Sequence, residues 1–128
     1  MKYQTLLPMI AFLLITFIST AQNLEGNWKG TSLCQIKNSP CHDEKVIYHI
    51  SKKKENNSYQ IIASKIVEGK EIDMGTLIFS FDAEKQILYL NNNVQQINWK
   101  FKVIGNQMHG TLISNGKLFR IIDLKRED

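Results

Sequence analysis

The chain is poor in the residues that define several common protein classes. It contains only two cysteines and two prolines in 128 residues. Two cysteines are too few for a small disulfide-rich protein or for a four-cysteine zinc module. Two prolines and seven glycines also exclude a collagen-like or linker-like chain. A hydrophobic fraction of 43% is too high for a disordered chain. The length then favours one globular domain, because domains commonly span about 100–200 residues.

One long apolar run is present, and it lies at the N-terminus. Lys2 precedes the run Leu6–Ile18, and the small residues Ser19–Ala21 follow it. This order is typical of a secretory signal peptide, and the run is shorter than the roughly 20 residues that a spanning helix needs. The sequence therefore predicts a signal peptide over residues 1–21 and a mature domain over 22–128. We expect a periplasmic or secreted protein with no membrane span after cleavage.

The two cysteines are close together in the exported part. Cys34 and Cys41 flank a segment that includes the turn-forming residues 38–40. Because exported chains persist in oxidising surroundings, the pair predicts one disulfide bond, worth about 2.5 kcal/mol on the chain-entropy model. The alternative is a metal site that includes His42–Glu44, but thiolate sites normally use more Cys or His ligands. We expect no metal and no cofactor.

The hydrophobic pattern of the exported part has a period of two. Residues alternate between apolar and polar without a break over Ile97–Val103, and Val46, Tyr48 and Ile50 share one side of another segment. Such alternation indicates half-buried strands, and no window shows a helical stripe. The turn signals between the runs, such as Asn115-Gly116, mark hairpins. They delimit eight strands, at about 25–35, 45–53, 58–67, 73–82, 86–91, 96–104, 107–114 and 117–125.

Consecutive strands joined by short turns form an antiparallel meander. A meander removes its free edges most completely by closing into a barrel, whereas a sandwich usually needs longer crossover connections. The predicted fold is therefore all-β, an eight-stranded antiparallel up-and-down barrel.

A short motif at the first strand adds a family resemblance. Gly26-Asn27-Trp28 resembles the Gly-x-Trp motif of lipocalins and related calycin barrels. The resemblance implies that Trp28 plugs one end of the barrel as a structural residue and that a basic residue of the last strand, Arg120, packs across it. The chain is shorter than full lipocalins and lacks their Thr-Asp-Tyr motif and C-terminal helix. It is similar to the compact lipocalin-like domains of bacterial exported proteins.

Sequence motifs for catalysis and for nucleic-acid binding are absent. The chain has no glycine-rich phosphate loop, no Gly-x-Ser-x-Gly and no His-Glu-x-x-His. His49 and His109 have no local partner at ligand spacing. His42 and the two acidic residues after it form a candidate cation or acid–base cluster, which we interpret instead as a solvated polar loop. The basic run Lys52–Lys54 is not interleaved with aromatic residues, as a stacking surface for bases requires. We expect neither an enzyme nor a nucleic-acid-binding protein.

The apolar strand faces carry the functional prediction. Tyr48, Phe79, Trp99 and Phe101 are expected to line a cavity that binds a small apolar or amphipathic ligand. The alternative is a periplasmic or secreted protein-binding module, such as a hydrolase inhibitor that presents the disulfide-bridged hairpin. A void of a few hundred Å³ would favour the first hypothesis. Apolar residues on the second face of some strands, Ile62 among them, also predict a homodimer or a protein partner on the outer surface.

Overall fold

The computed structural model describes residues 23–127, which form a closed barrel of eight antiparallel strands in sequence order. Each strand pairs with the next, and the last pairs with the first. The predicted fold class is confirmed. The predicted signal peptide lies outside the described residues. The strands are β1 (Gly26–Cys34), β2 (Glu44–Lys52), β3 (Ser58–Val67), β4 (Lys70–Asp82), β5 (Ile87–Asn92), β6 (Ile97–Ile104), β7 (Gln107–Ser114) and β8 (Lys117–Arg126).

The short turns that separate the strands have the backbone geometry their sequences require. Asn115 and Gly116 have φ angles of 51° and 76°. These values match a type I′ hairpin, in which both central residues need positive φ. The turn thus connects β7 to β8 without a crossover and sets the pairing of Ile113 with Leu118, beyond which the register shifts by one residue.

The core of the barrel consists of the alternating apolar residues that the sequence predicts to point inward. Val46, Tyr48 and Ile50 are buried on β2, and the same period holds on β6 for Phe101 and Val103. Phe101 lies against β7 at Gly110, where an added Cβ would be 2.3 Å from its ring. Large aromatic rings therefore fit inside because a neighbouring strand has no side chain opposite them.

An irregularity between β3 and β4 bends the wall of the barrel. The register of β3 and β4 shifts between Ala63 and Ser64, and Gly75 on β4 has a φ of 138°. Such a bulge increases the local twist and bend of a strand. The far part of the β3–β4 hairpin consequently leans over the outer surface of β2, where Glu71 contacts His49. Within residues 23–127, no helix is long and apolar enough to cross a membrane.

Candidate functional site: a cavity at the open end of the barrel

One end of the barrel is sealed by a tryptophan. Trp28 is fully buried, and its indole N–H donates a hydrogen bond to the Leu24 carbonyl at 2.9 Å. The guanidinium of Arg126 lies 4.7 Å from the Trp28 ring centroid, and it donates to the backbone carbonyls of Asn23 and Glu25. The cation–π contact and the two hydrogen bonds hold the segment before β1 across this end.

The prediction that Arg120 packs across Trp28 is wrong. Because β8 runs antiparallel to β1, the end of β8 meets the start of β1, and the register pairs Trp28 with Arg126. Arg120 pairs with Cys34 instead, near the opposite end of the barrel. Arg120 and Arg126 lie on the same face of β8, so side-chain alternation alone does not indicate which of them packs against Trp28.

The opposite end carries the disulfide-bridged loop. Cys34 and Cys41 form a disulfide with their Cα atoms 5.8 Å apart, which confirms that prediction. The N–H of Cys34 donates to the Asp43 carboxylate at 2.8 Å, and the N–H of Gln35 donates to the Phe119 carbonyl at 2.9 Å. The loop is therefore fixed both to itself and to β8.

A cavity of about 240 Å³ opens beside this loop, inside the barrel. Most of its wall is apolar, and the polar residues are concentrated on β1, β2 and β8. Its lining residues are Ser32, Glu44, Val46, Tyr48, Ala63, Met74, Gly75, Leu77, Trp99, Leu112, Arg120 and Ile122.

Arg120 is the polar centre of the cavity wall. Its guanidinium donates to the Ser32 hydroxyl at 3.2 Å, to the Ser32 carbonyl at 3.3 Å and to the His42 carbonyl at 3.0 Å. It also lies 3.8 Å from the Glu44 carboxylate, and the two side chains are 13% and 21% exposed. An ion pair this sheltered from water keeps more of its attraction than an exposed one. The polar part of the wall is consequently close to neutral in charge.

The aromatic part of the wall is built around Tyr48. Tyr48 packs edge-on against Trp99 at 6.2 Å and against Phe101 at 6.0 Å between ring centroids. Burial raises the pKa of Tyr48 well above its ordinary value, although the positive charge of Arg120 opposes the shift. The phenol is therefore neutral at physiological pH and retains a hydroxyl proton to donate.

The four predicted lining residues occupy two different depths. Tyr48 and Trp99 are in the cavity wall, whereas Phe79 and Phe101 are not. Both phenylalanines are fully buried one layer deeper, and Phe79 packs against Trp99 at 5.4 Å between ring centroids. They form the floor under the wall because the barrel interior is already filled at their level. Their assignment to the cavity lining is therefore corrected.

Sequence reasoning did not assign Ser32, Glu44 or Arg120 to the cavity wall. Glu44 shares the inward side of β2 with Val46 and Tyr48, so the period of two contained the signal. A charged residue just beyond an apolar alternation is usually interpreted as solvated, and Glu44 lies next to the exposed residues His42 and Asp43. Only the closure of β8 against β1 brings Arg120 beside it.

Trp99 carries an unsatisfied donor. Its indole nitrogen is buried and has no hydrogen-bond partner within residues 23–127. Protein atoms enclose this nitrogen, so it adds nothing to the cavity surface in this rotamer. A buried donor without a partner costs about 1–3 kcal/mol. Polar recognition in the cavity therefore depends on the side chains of Arg120, Glu44, Ser32 and Tyr48.

None of the three histidines lines the cavity, although the backbone carbonyl of His42 accepts a hydrogen bond from Arg120. His49 is on the outer face, between the Asn27 side-chain oxygen at 2.7 Å and the Glu71 carboxylate. His109 is also outside, 2.5 Å from the Asp123 carboxylate on β8. In the part of the chain that the structure describes, no group of three or more His, Cys, Asp or Glu residues is arranged to hold a metal ion.

No known protein-family model matches the chain, and no curated protein matches it in sequence. The structural support for the resemblance to lipocalins is therefore the fold, an eight-stranded antiparallel barrel.

Proposed function

We propose that this protein binds a small amphipathic molecule, without catalysing a reaction, in the cavity at the open end of its barrel. The cavity itself carries the proposal, because an eight-stranded barrel either fills its interior or encloses one small ligand. Its volume of about 240 Å³ lies below the roughly 300–1,000 Å³ of typical drug-sized sites. The ligand is accordingly small.

The distribution of polar groups orients that ligand. The apolar portion packs against Leu77, Leu112 and the Trp99 ring, where it displaces water from apolar surface. The polar portion faces Arg120 and Glu44, which offer a donor and an acceptor at one side of the cavity. A neutral head group with both a donor and an acceptor fits this pair better than a bare anion, because Glu44 would repel the anion.

The disulfide supports function in an oxidising compartment, so we further propose that the ligand is met in the periplasm or outside the cell. The alternative, a hydrolase inhibitor that presents its bridged loop, does not require an interior void. The cavity thus supports the small-ligand hypothesis over the inhibitor.

The proposal is tested by filling the cavity. Ala63 is buried in the wall, and Ala63→Leu places three more carbon atoms into the void. The neighbouring residue Ile62 lies on the outer side, so Ile62→Leu is the matched control. Native mass spectrometry of protein purified from its own host should show a retained small molecule in the wild type and in the control. That molecule should be absent from Ala63→Leu.

Titration provides a second measurement when no molecule is retained. The probes are hexanol, hexanoic acid and hexylamine, followed by chemical shifts of the Leu77 and Leu112 methyl groups. Hexanol should bind most tightly of the three. If none of the probes shifts these methyl groups at millimolar concentration, the cavity does not bind small amphipathic molecules.

A further inference from the structure

The barrel wall is incomplete between β4 and β5. These strands share only three paired positions, Ser80 with Tyr89, Phe81 with Leu88 and Asp82 with Ile87. The other seven strand pairs share between six and ten positions. Toward the open end, β4 continues along β3 and β5 continues along β6, but the two no longer pair with each other. We call this opening the β4–β5 gap.

Backbone groups of β4 point into the gap. The N–H of Phe81 donates to the Asn57 carbonyl on the β3 side at 2.9 Å. Since successive residues of an antiparallel strand bond to opposite sides, Thr76 and Ile78 direct their N–H and C=O groups toward β5. Within residues 23–127, no strand pairs with them there. By the same alternation, Asn91 faces the gap from β5.

The hydrophobic side chains around the gap are only partly buried. Leu77, Leu90 and Trp99 are the partly buried hydrophobic residues packed against the core, and they come from β4, β5 and β6. On the outer side, Ile78 and Tyr89 are 41% and 37% exposed. The inner face of the gap is therefore apolar, whereas its outer face combines Ile78 and Tyr89 with the exposed polar side chains of Thr76 and Asn91.

The two parts of the free β4 edge differ in how well they are protected from pairing with other strands. Its first part, Lys70–Asp73, carries charges and is followed by the bulge at Gly75, two devices that protect sheet edges from other strands. The second part, Thr76–Phe79, has no charge, no proline and no bulge. An edge that lacks such protection is a template for another strand.

We propose that the β4–β5 gap binds one extended, uncharged peptide segment of a protein partner, which pairs with Thr76–Phe79 as an added strand. Backbone hydrogen bonds to Thr76 and Ile78 give affinity, and alternate side chains enter the cavity beside Leu77 or lie outside against Tyr89. A second copy of the barrel fits less well. Its own Thr76–Phe79 edge leads directly into the positions that pair with its own β5, so less of that edge is open to another barrel than to a free peptide.

The test measures amide hydrogen exchange by NMR in the full exported domain. The probe is an acetylated and amidated heptapeptide of alternating threonine and valine. In the free protein, Thr76 and Ile78 should exchange fast, whereas Leu77 and Phe79 should be protected by their bonds to β3. The peptide should slow exchange at Thr76 and Ile78 by about tenfold or more. The same peptide with N-methylated amides should have no effect.

A variant pair tests the backbone contribution. Ile78→Pro removes the N–H that faces the gap and leaves the β3-facing bonds of Leu77 and Phe79 in place. It should weaken peptide binding by about tenfold or more, whereas Ile78→Val should bind as the wild type does. If Ile78→Pro does not fold, the exchange rates of the wild type decide the question alone.

Three results would overturn the proposal. The first is protection of Thr76 and Ile78 equal to that of Leu77 and Phe79 in the free, dilute protein, which would mean that the gap is closed. The second is exchange at Thr76 and Ile78 that the peptide does not change. The third is protection that rises with protein concentration in the absence of peptide, which would identify a second copy as the occupant.

Discussion

Trp28 and Arg126 show how single residues close one end of the barrel. The ring fills the space between the strands, while the guanidinium covers its face and binds the two carbonyls that precede β1. The polar edge of the indole is satisfied by Leu24. Burying so large a ring without an orphaned N–H makes this contact a major contribution to stability.

We expect Trp28→Ala to lower the free energy of unfolding by about 3–5 kcal/mol, because it removes a fully buried aromatic ring and leaves a cavity. Urea denaturation measures the change. Tyr89→Ala, at a half-exposed ring on the outer face, is the control and should cost much less. A loss below about 1 kcal/mol at Trp28 would show that it is not the plug of this end.

Gly30 is a second residue on which β1 depends. A Cβ at this position would lie 1.7 Å from the Asp123 carbonyl oxygen, in the backbone of β8. We expect Gly30→Ala to reduce stability by at least about 1–3 kcal/mol, since the clash is with backbone and cannot be relieved by a rotamer change. Thr31→Ala, on the exposed side of the same strand, should be nearly neutral. Equal melting temperatures for the two variants would contradict the close approach of β1 and β8.

The disulfide acts at the scale of an element, the loop between β1 and β2. Arg120 donates to the His42 carbonyl within the segment that follows Cys41, so the loop and the cavity wall are connected. The bond therefore restricts the mouth of the barrel more than its core.

Reduction of the Cys34–Cys41 bond should lower stability by about 2–3 kcal/mol, by releasing the closed loop in the unfolded chain. The far-ultraviolet spectrum should stay rich in strand. Denaturation with and without reductant gives the difference, and a Cys34→Ser, Cys41→Ser double variant should match the reduced protein. Two alkylated cysteines in protein that was never reduced would contradict the bond.

The β3–β4 hairpin is tied to β2 through Glu71. Its carboxylate contacts the His49 imidazole, and hydrogen bonds from His49 and Ser64 hold the pKa of Glu71 below its ordinary value. A lowered pKa in the folded state stabilises the fold above the unfolded value of 4.5, and this contribution disappears as the pH falls through the folded value.

Glu71→Gln should therefore be less stable than the wild type above pH 4.5, and the difference should shrink toward zero as the pH decreases below it. Denaturation curves between about pH 3 and pH 6 measure this dependence. Glu68→Gln, at an exposed carboxylate in the same hairpin, is the control. A stability difference that does not change with pH would mean that the Glu71 charge does not fasten the hairpin.

At the scale of the whole molecule, the barrel separates a sealed end from an open one. Trp28 and its neighbours fill the first, and the second holds the cavity, the disulfide loop and the β4–β5 gap. Every feature proposed to bind a partner or ligand is thus at one end.

Export is also a property of the whole chain. We expect a bacterial host that expresses residues 1–128 to remove residues 1–21, leaving a chain that begins at Gln22 and contains the disulfide. Intact-mass analysis of the secreted or periplasmic fraction tests both features together. Recovery of the full-length chain in the membrane fraction would contradict the predicted cleavage.

The sequence alone determined the local features of this protein. The period of two marked the strands, and the turn residues separated them. The residues predicted to point inward on β2 and β6 are the buried ones. These features depend on residues close together in the chain, whose side-chain alternation and turn geometry need no distant partner.

Only the tertiary structure decided which residues meet across the barrel. Arg120 and Arg126 share one strand face, and the register against β1 alone sends one to the cavity and the other to Trp28. The same holds for the depth of Phe79 and for the place where β4 and β5 separate. Register and closure arise from packing between segments far apart in the chain, so the alternation that identifies each strand carries no information about them.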